Sequence, residues 1–251
     1  MSAATSLRGA PWLPSRAPDA GAGLRLFCFP YAGGGTLAFR DWQRRLPASV
    51  ELCPVQMPGR ETRLRERPFT DLRSLVREVA RALAPGLDTP FALFGHSMGA
   101  LISFELAREL RREHGVEPVH LFVSGRRAPQ IPYTHPSLHD LPEPEFVEQL
   151  RRLNGTPAEV FGQPELLQLL LPRLRADFQL CETYRYDAER PLGCPVTAFG
   201  GLQDPDTTAP HLEGWREQTA SSFAAHMLPG DHFFLHSSDR GVLQILTRTL
   251  L

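Results

Sequence analysis

Gly95-His96-Ser97-Met98-Gly99 sets a serine between two glycines, each two residues away. This is the G-x-S-x-G spacing of a nucleophile elbow, a turn that presents a hydroxyl for attack on an acyl carbon. The context fits the letters: an apolar run at 91–94 leads in and an amphipathic stretch leads out, giving the strand–turn–helix the motif requires. A serine hydroxyl is a poor nucleophile at neutral pH, so it needs a base, and the base needs an orienting acid. Asp204, in Gly200-Gly201-Leu202-Gln203-Asp204-Pro205, directly follows an apolar run at 195–200. His232, in Pro229-Gly230-Asp231-His232-Phe233-Phe234, directly follows another at 223–228. The chain order Ser…Asp…His and the position after strand ends make Ser97, His232 and Asp204 the candidate nucleophile, base and acid.

Alternatives stand beside each of these. Asp206 is two residues beyond Asp204 and competes as the acid; Asp204 is favoured because it lies nearer the strand end. His236 competes with His232 but opens what reads as a surface helix. Asp231 reads as a loop-shaping or solvated carboxylate, and His96 as a side chain packed against the sheet. The tetrahedral oxyanion needs donors already aimed at it. The backbone N–H of Met98 is one candidate, and that of Ala32, in the glycine loop Tyr31-Ala32-Gly33-Gly34-Gly35, is the other. The same glycines could cradle a phosphate, but they lack the G-x-G-x-x-G spacing and a following Lys-Ser/Thr.

Short apolar runs at 24–30, 52–56, 91–95, 120–124, 195–200 and 223–228 would position these residues. Their nearly continuous apolarity suggests strands covered on both faces, as in a parallel sheet. Between them, Leu72, Leu75, Val76, Val79, Ala80 and Leu83 repeat at helical spacing, as do Ala100, Leu101, Phe104, Ala107 and Leu110. Strand and helix in alternation predict an α/β domain over 24–251 with a mostly parallel central sheet flanked by helices. The alternation lapses at about 130–190, where Phe146, Val147, Leu150 and Leu153 form one apolar face. Leu167, Leu170, Leu171, Leu174, Phe178 and Cys181 form another, with a kink or restart expected at Pro172. A helical lid over the strand ends is the expectation, against the plainer reading of an ordinary packed helix pair. Residues 1–23 show no apolar periodicity and read as a flexible tail.

Composition narrows the function. A formal net charge of −1 argues against nucleic acid as a partner. There is no lysine, which excludes Schiff-base chemistry and a P-loop. Cys28, Cys53, Cys181 and Cys194 form no C-x-x-C pair or zinc spacing, and the histidines show no H-E-x-x-H, so no metal is expected. With neither a secretory h-region nor a membrane-length apolar stretch, a reduced cytoplasmic setting is the default.

With these residues in view, the chain resembles the stand-alone type II thioesterases of polyketide and nonribosomal-peptide assembly lines, members of the α/β-hydrolase superfamily. The likeness rests on Phe29-Pro30-Tyr31-Ala32-Gly33-Gly34, Met57-Pro58-Gly59-Arg60-Glu61-Thr62-Arg63, Gly95-His96-Ser97-Met98-Gly99-Ala100 and Ser124-Gly125-Arg126-Arg127-Ala128-Pro129. It continues through Leu171-Pro172-Arg173-Leu174-Arg175-Ala176-Asp177 and Gly230-Asp231-His232-Phe233-Phe234. Where the family often has two glycines before the histidine, this chain has Gly230-Asp231. The resemblance implies an α/β-hydrolase fold with a helical lid. The implied activity is hydrolysis of acyl groups from the phosphopantetheine arm of an acyl or peptidyl carrier protein, with no cofactor of the enzyme's own. The absence of a carrier module before Leu24 suggests a separate polypeptide, expected to be a monomer. Tyr31, Arg60, Arg126 and Arg127 are candidates for contacting substrate or an acidic carrier, although Arg60, Arg63, Arg65 and Arg67 interleaved with Glu61 and Glu66 also read as a solvated face. A carboxylesterase or lipase would use the same three residues. A non-catalytic binding protein of this fold would be expected to have lost one of them.

Overall fold

The computed structural model describes residues 11–13, 21–133 and 136–251. Six strands, β1 (Leu24–Phe29), β2 (Val50–Pro54), β3 (Phe91–His96), β4 (His120–Ser124), β5 (Val196–Gly201) and β6 (Phe223–Leu228), form one sheet in the order β2-β1-β3-β4-β5-β6. Every neighbouring pair is parallel. The apolar runs locate all six; β2 begins two residues earlier than its run and ends before Val55. Residues of β3, β4 and β5 are buried throughout, as strands covered on both faces must be, whereas the edge strand β6 is half-exposed.

Strand order dictates where a site can form. From β1 the chain moves outward to β2, then returns to place β3 on the other side of β1. At such a reversal the loops leaving the carboxyl ends diverge and open a crevice. The loops leaving β1 and β3 carry Ala32 and Ser97.

Helices α1 (Leu72–Leu83) and α2 (Met98–His114) cover one face, and the C-terminal α8 (Asp239–Leu250) packs its Val242, Leu243 and Leu246 into the cluster on the other. In α1 the Asp71 side chain caps the Ser74 N–H, and the apolar stripe read from the sequence is the buried one. Helix α2 ends on Gly115 in the left-handed conformation, with Arg111, Arg112 and His114 in its last turn opposite the negative end of the dipole.

Between β4 and β5 lie α3 (Glu143–Leu153), α4 (Ala158–Phe161) and α5 (Pro164–Glu182). Phe146, Leu150, Leu171 and Leu174 give these helices a small core of their own, separate from the two clusters that flank the sheet. Leu180, near the C-terminal end of α5, joins the cluster under α1 and α2 instead, so these helices stand over the sheet on a core of their own and are anchored at that end. Helix α5 runs through Pro172 as one element without restarting. Two short helices, α6 (Ala209–Glu213) and α7 (Phe234–Ser237), complete the loops after β5 and β6.

The reading of 1–23 as a flexible tail needs correction at Trp12. Its indole is buried, its carbonyl accepts the Gln56 N–H at 2.8 Å, and its ring carries the Arg63 guanidinium 4.3 Å from the centroid. Residues 1–10 and 14–20 of that expectation lie outside the described residues.

His120 opens β4 beneath the sheet, 2.8 Å from Thr197 Oγ1 and stacked on Phe122. Burial lowers its pKa from 6.5 to about 4. A histidine whose folded pKa is depressed contributes stability above its unfolded pKa, and that contribution is lost as pH falls between the two values. Urea denaturation should therefore show stability falling from pH 6.5 to 4, with His120 contributing up to about 3 kcal/mol. His120→Gln should flatten that dependence; an unchanged slope would contradict it.

Candidate active site

Ser97 occupies the turn between β3 and α2 at φ 55° and ψ −111°, a conformation that L residues rarely adopt. Its N–H is held by the Ser124 carbonyl at 2.7 Å. The two flanking glycines are required by space: a Cβ on Gly95 would lie 2.0 Å from the Gly99 carbonyl oxygen, and one on Gly99 would lie 2.0 Å from that of Phe29. The motif is thus the record of three backbones, β1, β3 and the start of α2, brought into direct contact. The strained serine is carried by that packing.

The loops after β5 and β6 bring Asp204 and His232 to the same edge. His232 Nε2 lies 3.0 Å from Ser97 Oγ, and its Nδ1 lies 2.7 Å from Asp204 Oδ2. A carboxylate only accepts, so Nδ1 carries the proton and Nε2 is free to accept from the serine hydroxyl. Asp204 is 4 % exposed. Burial pushes its carboxyl upward, but the hydrogen bond and charge of His232, the Asp206 N–H and the Thr207 side chain outweigh this and hold it below the ordinary value. The choice between the two aspartates is clear in the geometry. Asp206 presents backbone to the site, its N–H donating to Asp204 Oδ1 at 2.9 Å and its carbonyl accepting from Arg127. His236 points elsewhere, 3.0 Å from the Tyr31 hydroxyl. Asp231 shapes the loop by accepting the Phe233 N–H at 2.8 Å.

His96 does more than pack. It is fully buried, its Nδ1 is 2.9 Å from Ser124 Oγ and its Nε2 is 2.9 Å from the His232 carbonyl oxygen. Burial, followed by the proximity of His232, pushes its pKa well below the ordinary value. The neutral ring must donate from Nε2 to the carbonyl and accept the Ser124 hydroxyl at Nδ1, which fixes the backbone of His232 against β3 and β4.

The Met98 N–H, at the first position of α2, has no partner among the described residues. In the loop after β1, the Gly33 N–H goes to Asp177 and the Gly34 N–H to the Tyr31 carbonyl, leaving that of Ala32 unengaged among the described residues. Ala32, Ser97 and His232 line a cavity of about 260 Å³ whose far wall is the lid, through Leu150, Leu174 and Phe178. A hydroxyl poised on a neutral imidazole, unengaged N–H groups nearby and an apolar wall suit acyl transfer.

The thioesterase domain family matches residues 24–250. The chain belongs to the thioesterase family. It is 54 % identical over 95 % of its length, and 92 % of the relative's, to a Brevibacillus parabrevis protein named linear gramicidin dehydrogenase LgrE. The thioesterase RedJ of the prodiginine biosynthetic pathway in Streptomyces coelicolor superimposes with a TM-score of 0.85 at 46 % identity, covering 91 % of each chain. The type II thioesterase BorB of the borrelidin biosynthetic cluster superimposes with a TM-score of 0.87 at 35 % identity, covering 96 % of this chain and 98 % of that one. The word dehydrogenase belongs to that relative's name; this chain matches the thioesterase domain over residues 24–250. The chain is a serine hydrolase that cleaves acyl thioesters.

Within this thioesterase the four expected binding residues separate. Tyr31 and Arg126 line the cavity beside Ser97. Arg127 also lines it, but its guanidinium is committed to the carbonyls of Pro132 and Asp206. Arg60 does not face a partner at all. It is 2 % exposed, paired with Asp177 at 2.8 Å and bonded to the Gly34 carbonyl. Arg63 is likewise buried, under Trp12 and against Glu66. The arginine run is half structural because the loop that bears it folds back onto the glycine loop. Asp177 entered the sequence analysis only as part of the Leu171–Asp177 stretch of the likeness and was given no role; its signal was a carboxylate three residues beyond Leu174 on an otherwise apolar helix face.

Proposed function

We propose that the protein is a type II thioesterase that removes stalled or aberrant acyl groups from the phosphopantetheine arm of carrier proteins in a polyketide or nonribosomal-peptide assembly line. The observation that carries this is the Ser97–His232–Asp204 relay opening into a cavity roofed by the lid. The likeness to BorB and RedJ and to a gramicidin-pathway protein supports the assembly-line setting. No helix among the described residues is long and apolar enough to cross a membrane. The proposed setting is the cytoplasm, where such carriers are loaded.

In this mechanism Ser97 Oγ attacks the thioester carbonyl as its proton passes to His232 Nε2, and Asp204 stabilises the resulting imidazolium. The oxyanion is held by the N–H groups of Met98 and Ala32. The carbon–sulfur bond breaks, the imidazolium returns its proton to the pantetheine thiolate, and the acyl group remains on Ser97. Water, deprotonated by His232, then attacks the acyl-serine; the carboxylic acid leaves and Oγ recovers its proton. All these steps use the chain's own residues, and the substrate supplies the phosphopantetheine.

The cavity presents the apolar side chains of Leu150, Leu174 and Phe178 to the site, which suits an acyl group. Rates should be measured with one short acyl group presented on a carrier, on coenzyme A and as an ethyl ester. The expected order is carrier, then coenzyme A, then ester. An ester hydrolysed as efficiently as the carrier thioester would favour a carboxylesterase instead.

A further inference from the structure

The loop that carries Ala32 contains three consecutive glycines, the backbone with the most conformational freedom to lose. A donor on such a loop stabilises an oxyanion only if its direction is fixed before the reaction. The loop does not fix itself: its one internal backbone bond is Gly34 N–H to the Tyr31 carbonyl at 2.9 Å. What holds it comes from elsewhere in the chain. Asp177 Oδ2, on the lid helix α5, accepts the Gly33 N–H at 2.8 Å, and Arg173, one turn earlier, donates to the Gly33 carbonyl at 3.0 Å. Arg60 bridges the two sides, donating to Asp177 Oδ1 and to the Gly34 carbonyl, each at 2.8 Å. Asp177 and Arg60 are both almost wholly buried.

The lid helix also rests directly on the loop. Gly33 has φ 77°, and a Cβ there would lie 2.6 Å from Leu174 Cδ2. Leu174 belongs to the lid's own core and lines the cavity. One short stretch of α5 therefore meets the acyl chamber with Leu174 and the backbone of the glycine loop with Arg173 and Asp177.

We infer that Asp177 is a positioning residue for the oxyanion-binding loop: with Arg60 and Arg173 it clamps Gly33 and Gly34 so that the adjacent Ala32 N–H points at the developing oxyanion. The lid is thereby part of the machinery that sets the rate, as well as a roof over the acyl group. Its C-terminal half, tied down by a buried ion pair, is the fixed part. This rests on the assignment of Ser97 as nucleophile and Ala32 as donor.

The test compares Asp177→Ala and Arg173→Met with the unaltered protein, using a short acyl thioester and a boronic acid that forms a tetrahedral adduct with the serine. Arg173→Met removes one clamp bond without leaving a buried charge unpaired, so it remains informative if Asp177→Ala folds poorly. Asp177→Ala should lower kcat by about 10- to 100-fold with KM changed less than about threefold, and weaken the boronate in parallel. Arg173→Met should show the same pattern at a few-fold, with unchanged thermal stability. Unchanged kcat in the folded variants, or a loss confined to KM, would overturn the clamp. Ser97→Ala, run alongside, separates the two levels: if it retains turnover, the nucleophile assignment has failed, and not the clamp alone.

Discussion

Ser97→Ala should leave the protein folded and lower turnover of an acyl thioester by on the order of a millionfold. The size follows from what the hydroxyl does. It is the atom 3.0 Å from His232 Nε2, and without it no acyl group can be parked on the enzyme. Some acceleration over free water should survive, because the N–H groups of Met98 and Ala32 and the cavity remain. Fold should be indifferent, since the side chain removed is small and alanine suffers the same backbone strain at φ 55° as serine. Ser97→Gly extends the argument: glycine tolerates that conformation, so this variant should be equally inactive yet more stable than the unaltered protein by about 1 kcal/mol. Denaturant titration of the three proteins checks the stability order, and a glycine variant no more stable than the alanine one would show that the turn is not strained.

Asp204→Asn should cost about 10⁴-fold in kcat, for a reason visible in the hydrogen bonds. Asp204 uses Oδ1 to accept the Asp206 N–H and Oδ2 to accept His232 Nδ1–H. In the amide, the oxygen is required opposite the Asp206 N–H, which leaves the NH₂ group facing Nδ1. The imidazole then has to accept at Nδ1 and carry its proton on Nε2, where it can no longer take one from Ser97. Asp206→Asn, changing a residue that meets the site through its backbone, should stay within a few-fold of the unaltered rate. Steady-state kinetics on both variants decides between the aspartates; a loss in Asp206→Asn as large as that in Asp204→Asn would reverse the assignment.

The parts of this site that were legible in the sequence are those tied to local pattern. Ser97, Asp204 and His232 each follow an apolar run, and a parallel sheet places all carboxyl ends on one edge, so locating the strands located the residues. Gly95 and Gly99 were readable because close backbone contact leaves no other residue type room. The clamp was not legible. Arg60 and Asp177 are 117 residues apart and belong to different periodic patterns, and nothing in either pattern marks the other. Arg60 looked like one charge in a basic run because burial of an arginine depends on a partner the sequence does not point to. Trp12 likewise sits in a stretch without periodicity, and its docking depends on Gln56, Arg63 and Phe69 far along the chain. The lid was legible as helices, but its relation to the glycine loop came only with the fold.

The central claim, that this thioesterase transfers acyl groups from a carrier through Ser97 to water, is tested most directly by intact-protein mass spectrometry. A carrier loaded with a short acyl thioester is mixed with the enzyme and quenched over time. The carrier should lose the acyl mass, the enzyme should gain it transiently on the peptide containing Ser97, and the free acid should accumulate. Deacylation of the carrier at an undiminished rate by Ser97→Ala would contradict the account.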